Sequence, residues 1–164
     1  MSTLAKKIVD QINSSNIIED LDGWIWKAGD LLERVFSKDF HSGFEEIDSE
    51  EVSLADGQAI QAALLKALKR NSDERFIGAI LSALGGSNDK SLKPIFVEYL
   101  AEHLRKLKES NSVIYSALIG LDNLGEQVFE RDLVGGSCQS LIEVDKNIRQ
   151  ANKYLLDLGY KIHW

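Results

Sequence analysis

Cysteine, proline and long apolar runs are scarce or missing in this chain. Of its 164 residues one is cysteine, Cys138, and one is proline, Pro94. A single cysteine excludes an internal disulfide, and a reducing, cytoplasmic home is the simple expectation. No stretch approaches 18 consecutive apolar residues, so neither a membrane-spanning helix nor a membrane partner is expected. The opening MSTLAKKIVDQI has charge but no continuous apolar segment of the kind a signal peptide needs; Leu4, Ile8 and Ile12 recur as on a helix. Alternating apolar–polar runs of useful length are also missing, which argues against sheet. Little proline with much Leu, Ala, Lys and Glu favours helix.

The sequence also lacks the motifs that carry chemistry. It has no GxGxxG, no P-loop and no HExxH. His41, His103 and His163 stand far apart without a second ligand at metal spacing, and His103 reads as a boundary residue on an amphipathic helix. Cys138, after Gly135-Gly136-Ser137, reads as a small apolar filler near a helix start. Asp20-Leu21-Asp22-Gly23 fails the calcium-loop pattern, because the glycine comes too early and a Trp stands where the third oxygen ligand belongs. Glu98 and Glu102 lie one helical turn apart, but Arg105 and Lys106 follow, which reads as a solvated face. The expectation is a protein that is not an enzyme, with no cofactor and no metal.

What is present is helical patterning and unevenly placed charge. The length suits one domain, residues 1–164. Thr3 to Asn13 reads as an amphipathic helix, and a second runs from about Gly23 to Ser37 behind Asp22 as N-cap. Its apolar face carries Trp24, Ala28, Leu31, Leu32, Val35 and Phe36. Residues 38–52 read as a long acidic loop with at most one short turn, a kind of segment that is often functional. Further helices are predicted over Ser53–Arg70, over Asp73–Leu84 with Gly85-Gly86 ending it at C′, and from a Ser91 cap to Lys108 with Pro94 in its first turn. Others follow over Val113–Leu121, over Glu126–Val134 and from Gln139 to Leu158, stopped by Gly159. The fold class is all-α, with seven or eight helices packed as stacked antiparallel hairpins or as an irregular bundle.

Net charge is −7, yet residues 1–65 carry 13 acids against 5 bases, while residues 66–164 carry 13 against 14. Between Asp39 and Leu65 seven acids (Asp39, Glu45, Glu46, Asp48, Glu50, Glu51 and Asp56) stand without any Lys or Arg. Phosphate binding needs cations, so nucleic acid is not an expected partner. A basic protein would be attracted. Phe40, Phe44 and Ile47 are interleaved with these acids, either as interface anchors within a polar rim or as pins that hold the loop to the core. At about 100° per residue Trp24 falls with the apolar face, whereas Trp26 falls with Asp30 and Glu33 on the polar one. Trp26, Asp30, Glu33, Phe44, Glu45, Glu46, Asp48, Glu50 and Glu51 are therefore the candidate partner-binding residues.

FIGAILSALGG (Phe76 to Gly86) and VIYSALIGLDNLG (Val113 to Gly125) echo one another at an offset near 38–40 residues. This pattern resembles HEAT-type helical hairpins over roughly residues 58–130. The resemblance implies stacked antiparallel helices and a protein-binding face, and no chemistry. In overall character the chain, small, acidic and helical with an aromatic–acidic patch over residues 22–56, is similar to bacterial toxin-immunity proteins of the contact-dependent inhibition type. That resemblance implies a protein partner, a basic and nuclease-type toxin domain whose active site the acidic side chains block. The other reading is a helical adaptor that binds through the concave face formed by residues 75–130. Steep salt dependence separates the first from the second.

Overall fold

The computed structural model describes residues 1–14, 18–36, 42, 44–49, 51–106, 110–129 and 141–161. The described residues form eight α-helices and no strand. The helices are α1 (Thr3–Ser14), α2 (Ile18–Phe36), α3 (Glu45–Asp48), α4 (Leu54–Arg70), α5 (Glu74–Gly85), α6 (Lys93–Leu104), α7 (Asn111–Asn123) and α8 (Leu141–Asp157). A 3-10 turn, Lys90–Leu92, leads into α6. None of these helices is long and apolar enough to cross a membrane. The chain gathers into two compact units, Met1–Asn88 and Asp89–Trp164.

In the first unit α1 packs chiefly on α4 and α2 chiefly on α5, with α1 also touching α2, and α4 touching α5. That is the pattern of two helical hairpins, α1–α2 and α4–α5, laid one on the other with like helices facing. The stripe Leu4, Ala5, Ile8 and Ile12 of α1 meets Ile60, Ala63, Leu64, Ala67 and Leu68 of α4, all of them buried. The α2–α5 contact is close because Gly29 has no side chain: a Cβ there would lie 3.1 Å from Ala83 Cα. Arg70, at the end of α4, donates to the Ile12 and Asn13 carbonyls, supplying hydrogen bonds and positive charge where α1 ends.

Several boundaries differ from the sequence reading. The second helix starts at Ile18, so Asp22 lies inside it and does not cap it. Ser53 does cap α4, in a full capping box with Asp56. That buries Asp56 to 2 % exposure, where it accepts from Ser53 N (2.9 Å), Ser53 Oγ (2.7 Å) and Ser2 N (2.7 Å). One of the seven acids is thus part of the framework and not of the surface. Asp73 caps α5 through Arg75 N. Gly86 follows α5 in right-handed geometry, not as a left-handed C′ residue; its use is proximity, since a Cβ there would lie 3.3 Å from Gly29 O.

In the second unit α6, α7 and α8 pack on one another. Asp89, not Ser91, caps the entry to α6, accepting from Ser91 N. Phe96 and Leu100 of α6 are wholly buried with Ile114, Ala117, Leu118 and Leu121 of α7. His103 is also buried, not at a boundary: its ring stacks on Tyr99 and Nδ1 lies 3.0 Å from Ser110 Oγ. Residues 126–129 carry no helix, and the rest of the helix expected up to Val134 lies outside the described residues, as do Leu107, Lys108 and Cys138. Gly159 ends α8 with φ +84°, as the sequence predicts. The two echoing segments occupy α5 and α7, the second helices of the α4–α5 and α6–α7 pairs.

Candidate protein-interaction surface

Trp26, Asp30 and Glu33 lie on α2, Glu45, Glu46 and Asp48 on the short α3 that packs against it, with Phe44 just before α3 and Glu51 after it. Ile25, Ala28, Leu31 and Leu32 form the buried stripe of α2 and are fully enclosed. Trp24 is half-buried rather than a core residue, because Ile25 takes the centre of the stripe and leaves Trp24 at its shoulder. Lys27 Nζ lies 4.8 Å and Lys7 Nζ 5.4 Å from the Trp24 ring centroid, within cation–π range. Val35 is half-buried and Phe36 exposed, so the apolar face ends earlier than the pattern suggests. Trp26 projects from the other side and is 54 % exposed.

The acidic segment is drawn onto α2 by specific pairs. Ile47 of α3 is fully buried and Phe44 half-buried, with Lys27 Nζ 5.3 Å from the Phe44 ring centroid. The same ammonium pairs with Glu46. Arg34 Nη1 lies 3.2 Å from Asp48 Oδ1, an oxygen that also accepts from Ser42 N at 2.8 Å. Ser42 Oγ donates to Asp30 Oδ2 at 2.5 Å and accepts from Phe44 N at 3.0 Å. The Lys27 hydrogen bond holds the Glu46 carboxyl below its usual range despite an opposing desolvation. Glu33 is pushed the other way, by partial burial and by Asp30.

The candidates therefore divide. Asp30, Glu46, Asp48 and Phe44 hold α3 to α2. Trp26, Glu33, Glu45 and Glu51 stand exposed. Glu50, with Asp39, Phe40 and His41, lies outside the described residues. Of the two roles open to the interleaved apolar residues, Ile47 and, in part, Phe44 take the pinning one. Sequence reasoning missed Lys27, the residue that joins Trp24, Phe44 and Glu46. Its signal was present: Lys27 follows Trp24 by three positions, the spacing at which helical side chains meet.

Among the described residues no three of His, Cys, Asp and Glu converge as metal ligands. What the surface offers chemically is one large exposed aromatic side chain, Trp26, and the exposed carboxylates of Glu33, Glu45 and Glu51. Compared with protein-family models, characterised proteins and solved structures, the chain matches none.

Proposed function

We propose that this chain is a protein-binding inhibitor, an immunity protein that neutralises a cognate basic, nuclease-type bacterial toxin by occluding its active site. The observation that carries the reading is Trp26, 54 % exposed on the middle of α2 with Glu33 on the same face. Leaving an indole in water forgoes about 2–3 kcal/mol of burial, so its exposure favours a partner that covers it. Glu33, Glu45 and Glu51 supply an acidic rim, and the ion pairs of Lys27 with Glu46 and of Arg34 with Asp48 hold α3, and Glu45 with it, on α2 before binding. Such preorganisation lowers the ordering cost of association. The stacking of α1–α2 on α4–α5 supports a HEAT-like scaffold beneath this face.

The test begins with what co-purifies from the native cell, followed by calorimetry on the recovered partner. Trp26→Ala weakens binding by about 2–4 kcal/mol, the range of an aromatic hot spot, while the unfolding midpoint stays within error. Charge reversal at Glu33, Glu45 and Glu51 weakens it further and flattens its salt dependence. Unchanged affinity in both variants removes the reading. Salt-insensitive binding that maps to residues 75–130 assigns the protein to the adaptor class.

A further inference from the structure

The ends of α7 and α8 border a cavity of about 700 Å³ within the Asp89–Trp164 unit. Helix α8 presents Gln150, Tyr154 and Asp157 at positions i, i+4 and i+7, one face of the helix. After α7 the chain turns at Gly125, whose φ of +86° favours glycine, and Gly125 N donates to Asp122 O. This turn carries Asp122 and the apolar Val128 and Phe129 into the same wall. The volume lies in the ordinary range for small-ligand pockets.

Three features of the wall call for a cation. Asp122 and Asp157 each occupy the last turn of a helix, where the backbone dipole already presents negative charge and a carboxylate is disfavoured. Neither carboxylate has a hydrogen-bond or charge partner among the described residues. The Gln150 side chain, in a residue only 6 % exposed, lines the cavity and likewise has no hydrogen-bond partner among the described residues. Glu126 differs, being taken by Lys93 Nζ at 2.8 Å and Tyr154 Oη at 2.9 Å. Lys153 also borders the cavity, and with Lys93 set against Glu126 the two aspartates keep the wall net acidic. Apolar Val128 and Phe129 beside the carboxylates suit an organic cation that carries an apolar stem. A guanidinium offers a planar fork of donors to carboxylate and amide oxygens, and its alkyl stem suits an apolar wall such as Val128 and Phe129.

We propose that this cavity receives the side chain of an arginine presented by a partner protein. The probe is the blocked tripeptide acetyl-Gly-Arg-Gly-amide, titrated into the full chain and followed by two-dimensional NMR. The Gln150 side-chain NH2 and the amides of residues 122–128 shift saturably at millimolar peptide. The citrulline tripeptide, equal in shape but neutral, binds at least about tenfold more weakly, the scale of one charge-assisted hydrogen bond. Asp122→Asn with Asp157→Asn, both at exposed positions, costs about the same factor and leaves the folded spectrum intact. Gln150→Leu keeps the volume and also loses binding. Absence of saturable shifts up to about 20 mM overturns the proposal, as does equal binding of the citrulline peptide or an undiminished affinity in the double asparagine variant.

Discussion

Two tryptophans two positions apart on α2 have different physical roles, and the residue between them explains why. Ile25 is fully enclosed, which turns Trp24 to the shoulder under Lys7 and Lys27 and leaves Trp26 to solvent. The helical wheel placed Trp26 correctly because a polar position is defined by its neighbours Asp30 and Glu33 alone. It placed Trp24 too deep because a stripe's centre depends on which neighbouring helices cover it, and that is not written locally. Asp56 shows the same limit. In the sequence it is one more acid in an acidic run; only the fold supplies Ser2 N and makes it a buried acceptor. Its burial alone would raise the carboxyl, but the Ser53 hydroxyl, the Ser53 amide and the Ser2 amide outweigh that and hold it below the usual carboxylate range. A carboxyl depressed in the folded state contributes stability that is present above its unfolded pKa and lost as pH falls through the folded one. Asp56→Asn should therefore cost about 1–2 kcal/mol at neutral pH. Urea midpoints at about pH 7, 4.5 and 2.5 should show the gap between variant and wild type closing at the most acid point. A gap that stays constant would mean that the carboxylate charge plays no part.

At the scale of elements, glycine position separates helix packing from helix propensity. Gly23 lies inside α2, and a Cβ added there would meet nothing within 4 Å. Gly120 lies inside α7, where a Cβ would fall 2.3 Å from Phe96 Cε1 and 2.6 Å from Cζ, in a ring that is wholly buried. The same substitution should thus have opposite signs. Gly23→Ala stabilises by about 0.5–1 kcal/mol, by helix propensity and by narrowing the unfolded ensemble. Gly120→Ala destabilises by about 2–3 kcal/mol through overpacking, and Phe96→Leu in the same chain recovers part of the loss, a coupling that a double-mutant cycle measures. Gly23 also shows why the start of α2 was misread. Asp22-Gly23 looks like a cap at the edge of a helix, yet α2 continues back to Ile18, through a residue whose propensity opposes it. The clearer elements, α1, α4, α5 and the Gly159 stop, were legible because stripe, cap and terminator agree there. The α2–α5 crossing was not, because the fit of Gly29 to Ala83 is a property of two distant segments together.

For the whole molecule, charge and framework are distributed differently. Residues 1–88 carry 15 acids against 9 bases, and residues 89–164 carry 11 against 10, so the acidic field belongs to the first unit. The asymmetry was legible from composition; its partial cancellation by Lys27 and Arg34 was not, because those pairs join two separate helices, α2 and α3. Long-range field and short-range contact act on different rates. A field steers encounter and so acts on association, whereas a buried aromatic anchor must be withdrawn before the partner leaves and so acts on dissociation. For the partner proposed above, charge reversal at Glu45 and Glu51 should lower the association rate constant about tenfold at low salt and change dissociation little. Trp26→Ala should leave association within about twofold and speed dissociation by about 30-fold or more, the kinetic equivalent of an anchor of 2 kcal/mol. Raising ionic strength from about 20 to 500 mM should erase the first effect and spare the second, since screening acts over the Debye length and not on a desolvated contact. Surface plasmon resonance at the two salt concentrations resolves both rates. If the tryptophan variant instead slows association and leaves dissociation alone, Trp26 is not buried in the complex and the binding face must be sought elsewhere on the chain.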